Sequence, residues 1–123
     1  MVSSESAPRA LEIEVRFADD VLIVTVHGEI DMASAPQLQS ALDEALRQAP
    51  PAVVVDMSDV GFLGSAGLSV LVAASEAAGS GRLRVVPSDA ARRPIELTAL
   101  DRLLTVFDSV DGALTVDEPH PPN

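Results

Sequence analysis

Leu11, Ile13, Val15 and Phe17 alternate with Glu12, Glu14 and Arg16, a period of two that predicts a strand with one wet face. After a turn at Ala18-Asp19-Asp20, Val21 to Val26 is more continuously apolar and predicts a second, more central strand. The two read as a hairpin. Leu38, Leu42, Ala45 and Ala49, with Leu46 beside them, repeat at helical spacing and predict a helix over about residues 35–48, stopped by Pro50-Pro51. Ser34 and Gln37 have the spacing of a capping box at its start. Pro36 is tolerated in the first turn, where its missing N–H has no intrahelical partner.

The chain is organised around residues 53–72, VVVDMSDVGFLGSAGLSVLV. Val53, Val54 and Val55 suit a strand buried on both faces, Asp56 closes it, and a polar, glycine-containing connection leads to a helix carrying Leu68, Leu71 and Val72. Gly79-Ser80-Gly81 ends that helix. Leu83, Val85 and Val86 predict a short strand, so that strand, helix and strand form a parallel βαβ unit. Ser88 to Leu100 predicts a third helix, which Pro94 forces either to begin near Arg92 or to kink. Leu104 to Phe107 is a candidate last strand and Val110 to Val116 a last short helix or turn. Residues 1–9 and 118–123 read as loose tails around one domain over 10–117.

With 47% hydrophobic and 22% charged residues, the chain sits with ordinary globular domains. Its only aromatics are Phe17, Phe62 and Phe107, so the core must be aliphatic and the stacking platforms of single-strand nucleic-acid binders are missing. Eight arginines, no lysine and nineteen acids leave a net charge of −11. Such a surface repels phosphate backbones and anionic lipid, which points away from nucleic acid and membrane and toward a basic or mixed-charge protein partner. The chain has no cysteine and no apolar run near the roughly 20 residues that span a bilayer, and MVSSESAPRA does not resemble a signal peptide; the expected location is the cytoplasm.

Candidate chemistry is sparse. Ser65 stands at the junction of strand and helix, where its hydroxyl either caps the helix by accepting the Leu68 N–H or, at the positive end of the dipole and followed by the small Ala66 and Gly67, is open to modification. Asp31, between a strand and a helix, either lines a ligand face or makes a turn, and Asp56 has the same two readings. Ser58 suits a serine turn. A nucleophile elbow would need glycine where Leu63 stands, and His27 and His120 are poorly placed for a triad. Two histidines without cysteine argue against a metal site, and a phosphate-cradling Gly-Lys loop is impossible without lysine. No cofactor is expected, and intrinsic catalysis is not.

Asp56-Met57-Ser58, Val60, Phe62 and Ser65-Ala66-Gly67-Leu68 resemble the signature of STAS domains, in particular bacterial anti-sigma-factor antagonists. Gly28-Glu29-Ile30-Asp31 with Ser34-Ala35 is similar to the same family's motif before the first helix, and Ile95 to Asp101 to its third-helix ending. The resemblance runs from about Leu11 to Leu114. It implies a single α/β domain, a small mixed sheet of four to five strands with helices packed mainly on one face. It also implies an anti-sigma factor that is a serine kinase as partner, a serine phosphatase as a second, and phosphorylation of Ser65 as the off-switch. Gly28, Glu29, Ile30, Asp31, Ser34, Leu63, Gly64, Ser65, Ala66, Gly67 and Leu68 become the expected contact surface, with apolar contacts near Leu63 and Leu68. One departure stands out: many members have aspartate directly before the serine, where this chain has Gly64, removing either a charge that repels phosphate or a contact to the kinase. Two other readings are a scaffold module of a stressosome-like or lipid-transport complex, and a small enzyme using Asp31, Asp56 and Ser65.

Overall fold

Alternating and helically spaced apolar residues give the elements expected of them in a computed structural model, which describes residues 10–79 and 81–115. The expected tails at 1–9 and 118–123, with His120, lie outside the described residues. In chain order the elements are β1 (Glu12–Ala18), β2 (Val21–Ile30), α1 (Ala35–Arg47), β3 (Val53–Leu63), α2 (Ser65–Ala78), β4 (Leu83–Pro87), α3 (Asp89–Leu97), a 3-10 turn (Leu100–Arg102), β5 (Thr105–Val106) and α4 (Val110–Thr115). The sheet has the order β1-β2-β3-β4-β5. β1 pairs antiparallel with β2 as the predicted hairpin, and the remaining pairs are parallel.

Val53 and Val55 face a core built with Leu38 and Leu42 of α1, Leu68 and Leu71 of α2 and Ile95 of α3. Val54 faces the other way, where Ile23, Val86 and Ala113 of α4 make a smaller cluster. Three helices on one face and one on the other match the expected architecture. α2 has no side-chain cap at its N-terminus, and its buried leucines, worth about 2 kcal/mol each, hold it in place.

β3 differs most from expectation. It does not close at Asp56 but continues to Leu63, because the register against β2 shifts twice. Thr25 faces Asp56 while His27 faces Asp59, and Gly28 faces Val60 while Glu29 faces Phe62, so β3 gains one residue at each shift. These bulges bring Met57, Val60 and Leu63 into the core at a spacing of three. Ser88 secures the region: its hydroxyl donates to the Val60 carbonyl at 2.6 Å and accepts the Ala91 N–H at 3.0 Å, capping α3.

α3 begins at Asp89 in spite of Pro94, which removes only the bond to the carbonyl of exposed Ala90. Of the two alternatives, a later start near Arg92 or a kink, the later start does not occur, because the Ser88 cap holds the earlier turn. Ala49 is not on the face of α1 but beyond its end, exposed and left-handed at φ 53. The Ser34–Gln37 capping box does not form either. Gln37 Nε2 instead donates to the Leu11 carbonyl at 3.2 Å, and Ser34 turns back toward β2.

Candidate functional site at the ends of β2 and β3

The two motifs singled out in the sequence meet at the C-terminal ends of adjacent parallel strands. Ile30 pairs with Leu63, and the Gly64 N–H donates to the Ile30 carbonyl at 2.9 Å. Gly67, on the first turn of α2, lies against both: a Cβ there would stand 2.5 Å from Ile30 Cγ2 and 2.6 Å from Leu63 Cδ1. Gly67 thus lets α2 approach the sheet, a different task from uncrowding Ser65. Gly28 is fixed by another need, a φ of 112° and a Cβ position filled by the Ala10 carbonyl.

After β2 the chain makes a locked turn. The N–H groups of Ala33 and Ser34 donate to Asp31 Oδ1 at 3.0 Å each, and the Asp31 N–H donates to Ser34 Oγ at 2.9 Å. The Ser34 hydroxyl reaches the Glu29 carbonyl at 2.9 Å, with Asp31 Oδ1 at 3.1 Å. The Ser34 N–H and then its hydroxyl hold the Asp31 carboxyl below its ordinary value, against desolvation. Asp31 is therefore a turn-forming carboxylate, with its acceptor oxygen committed.

Ser65 is different. Gly64, with φ −90° and ψ −179°, is the N-cap of α2, and the first intrahelical bond runs from the Leu68 N–H to the Gly64 carbonyl at 3.1 Å. Ser65 is the first helical residue, its side chain exposed and taking no part in capping. The expected cap on the Leu68 N–H is thus made by Gly64's carbonyl, which leaves the hydroxyl chemically uncommitted. The N–H groups of Ser65, Ala66 and Gly67 precede that first bond and have no acceptor inside the helix.

Burial sorts the expected contact residues. Gly28, Ile30, Leu63, Gly67 and Leu68 are buried, Leu63 at 3% exposure, so the apolar contacts expected near Leu63 and Leu68 are not offered by those two side chains. Leu63 ends β3 on the same face as Val53 and Val55, and Leu68 lies on the face of α2 that packs against that core. Glu29, Asp31, Ser34, Gly64, Ser65 and Ala66 retain accessible surface. The apolar surface comes instead from Met32, 81% exposed beyond Asp31, and Phe62, 49% exposed beside Gly64. Met32 was legible as an apolar residue inside a polar turn. From Ser65 an open groove of about 410 Å³ runs along α2, bordered by Leu68, Ser69, Val72, Thr98 and Leu100.

Asp56 does not join this site. It sits on the Val54 side of β3, the face away from α1, α2 and α3, and its Oδ1 accepts both the Ser58 N–H at 3.1 Å and the Ser58 hydroxyl at 2.7 Å. The enzyme reading needed Asp31, Asp56 and Ser65 together, and the fold puts Asp56 on the opposite face of the sheet from α2. His27 is engaged elsewhere: its Nδ1 pairs with Asp59 Oδ2 at 2.9 Å, which raises its pKa above the ordinary value. Among the described residues no group of three or more potential ligands could hold a metal, and no helix is long and apolar enough to cross a membrane.

Residues 12–113 match the STAS domain family. The chain belongs to that family. This STAS domain is 39% identical over 112 residues to the anti-sigma-F factor antagonist RsfB of Mycobacterium tuberculosis, covering 89% of this chain and 92% of RsfB. It is similar to the crystal structure of an anti-sigma factor antagonist from Mycobacterium paratuberculosis, with TM-score 0.82, 42% identity, and 87% of this chain and 93% of that one covered. The fold also matches SpoIIAA, a Bacillus cell fate determinant, in its phosphorylated form, at TM-score 0.59 and 16% identity over 85% of this chain and 96% of that one.

Proposed function

We propose that this STAS domain is an anti-sigma-factor antagonist that binds a kinase-type anti-sigma factor and is switched off by phosphorylation of Ser65. The observation that carries the reading is the uncommitted, exposed hydroxyl at the first position of α2, beside the locked Asp31 turn and the apolar Met32 and Phe62. The names of RsfB and of the M. paratuberculosis protein support the antagonist role.

The mechanism is a change of charge at one spot. Unmodified, Ser65 is small and neutral, and a partner can cover it together with Phe62, Met32 and the exposed edge of the turn. A phosphate adds close to two negative charges, which a dry interface must pair or desolvate. Losing about 3 kcal/mol weakens binding more than a hundredfold, enough to switch a partner equilibrium. The domain itself tolerates the group, since the free N–H groups and positive end of α2 favour an anion there. SpoIIAA, which keeps this fold in its phosphorylated form, is consistent with that tolerance.

The deciding experiment is incubation with the cognate anti-sigma kinase and ATP, followed by mass spectrometry and a pull-down. A single phosphate on Ser65 and loss of kinase retention are expected. Phosphate elsewhere, or unchanged retention after modification, removes the switch.

A further inference from the structure

The sheet has two edges of unlike character. At one, β5 is only two residues long. At the other, β1 offers seven residues whose outer backbone groups pair with no strand among the described residues. Natural edge strands are usually short, irregular or covered, because an open edge is a template for a further strand. β1 is long, free of proline and apolar on one face: Ile13, Val15 and Phe17 lie opposite Val26, Val24 and Leu22, on the helix-bearing side of the sheet. Val15 is 50% and Phe17 58% exposed.

We infer that β1 is the contact of a symmetric homodimer, two copies pairing their first strands antiparallel about a two-fold axis at Val15. The sequence of the strand is complementary to itself in that register. Val15 meets Val15 of the second copy, Ile13 meets Phe17, and Glu14 meets Arg16, each pair occurring twice. Within one chain Glu14 faces Thr25 and Arg16 faces Ile23, and neither has an ion-pair partner among the described residues. Centring the axis on Glu14 or Arg16 instead would set like charges face to face, which cross-strand pairing disfavours. An isologous contact closes after two copies and extends no further. The apolar trio of each copy then fills the gap beside the other's, in one continuous sheet of ten strands, five from each copy.

The contact is small, and −11 on each copy opposes it, so the dimer forms at high concentration and exchanges readily. The axis is perpendicular to the sheet, which places the two Ser65 sites at opposite ends, both open. On the antagonist reading, one dimer then presents two partner sites. The dimer itself does not depend on that reading.

Sedimentation between about 5 and 500 µM tests the association, in the concentration range suited to a small interface. Wild type is expected to pass from monomer to dimer. Arg16→Glu or Glu14→Arg alone should weaken it about tenfold, and the two together should restore it, with circular dichroism confirming the fold of each. The absence of cysteine gives a second, independent readout. Val15→Cys should form an intermolecular disulfide readily, because directly opposed Cα atoms lie about 4.5–5.5 Å apart, whereas Phe17→Cys, two residues off the axis, should not. A monomer throughout the range, single reversals without effect, a double reversal that fails to restore, or equal cross-linking of the two cysteine variants would each overturn the proposal.

Discussion

Two serines stand where a strand hands over to a helix, Ser34 after β2 and Ser65 after β3, and they are used in opposite ways. The Ser34 hydroxyl accepts from the Asp31 N–H and donates toward Glu29, while its own N–H binds the Asp31 carboxylate. The Ser65 hydroxyl does no such work, because the Gly64 carbonyl already receives the first helical N–H. One handover is rigid and the other is chemically available. The proposed switch needs both, since a modification is read only if the ground beside it stays fixed.

The contrast breaks most visibly at Ser65. Ser65→Asp is expected to lower affinity for the kinase-type anti-sigma factor more than a hundredfold, about 3 kcal/mol, while Ser65→Ala binds within a few-fold of wild type and resists inactivation by ATP. Titration calorimetry separates these outcomes; equal affinity for both variants would remove the difference between the serines. Gly67→Ala should cost about 2 to 3 kcal/mol in urea denaturation, because its Cβ collides with Ile30 and Leu63 in a full core, and it should drive α2 away from the Asp31 turn.

Ser34→Ala should cost about 1 to 2 kcal/mol, leaving the Asp31 N–H and the Glu29 carbonyl without their partner, against under about 0.5 kcal/mol for Ser65→Ala. The same change should raise the Asp31 pKa toward its ordinary 3.8, read by carboxyl NMR titration. The sign follows from the hydrogen bonds. They lower the folded-state value, so their contribution is present above 3.8 and disappears as pH falls through the lowered value. Gly64→Asp, the smallest effect, should stabilise by a few tenths of a kcal/mol, since φ −90° admits any residue and an N-cap carboxylate suits the dipole. Only the Phe62 ring edge, 3.1 Å from the new Cβ, must yield. A drop in melting temperature would show that glycine is required there.

What could be read in the sequence was what local periodicity encodes. The β1–β2 hairpin, α1, the Val53–Val55 strand and the parallel unit around α2 all carry patterns of two or of three and four residues. The Ser58–Leu63 extension carries neither, because its bulges answer to the register of β2. Leu63, expected in the contact surface, ends the strand on the buried face to which Val53 and Val55 also point. The Ser34–Gln37 spacing is right for a box, yet Gln37 is drawn to Leu11, 26 residues away, which no local rule contains. At Ser65 the error was a single position, since the cap falls to whichever residue has the extended ψ, and that is Gly64.

The two bulges of β3 also act as a spacer. By spending two additional residues over the length that β2 covers, they make the serine emerge level with the braced loop on the neighbouring strand. Deleting Gly61 would remove the second bulge, leaving Gly28–Val60 and Glu29–Phe62 as consecutive pairs and the strand less twisted just before the serine. Alignment of the two halves of the proposed contact surface is thus tied to an irregularity of the strand beneath it.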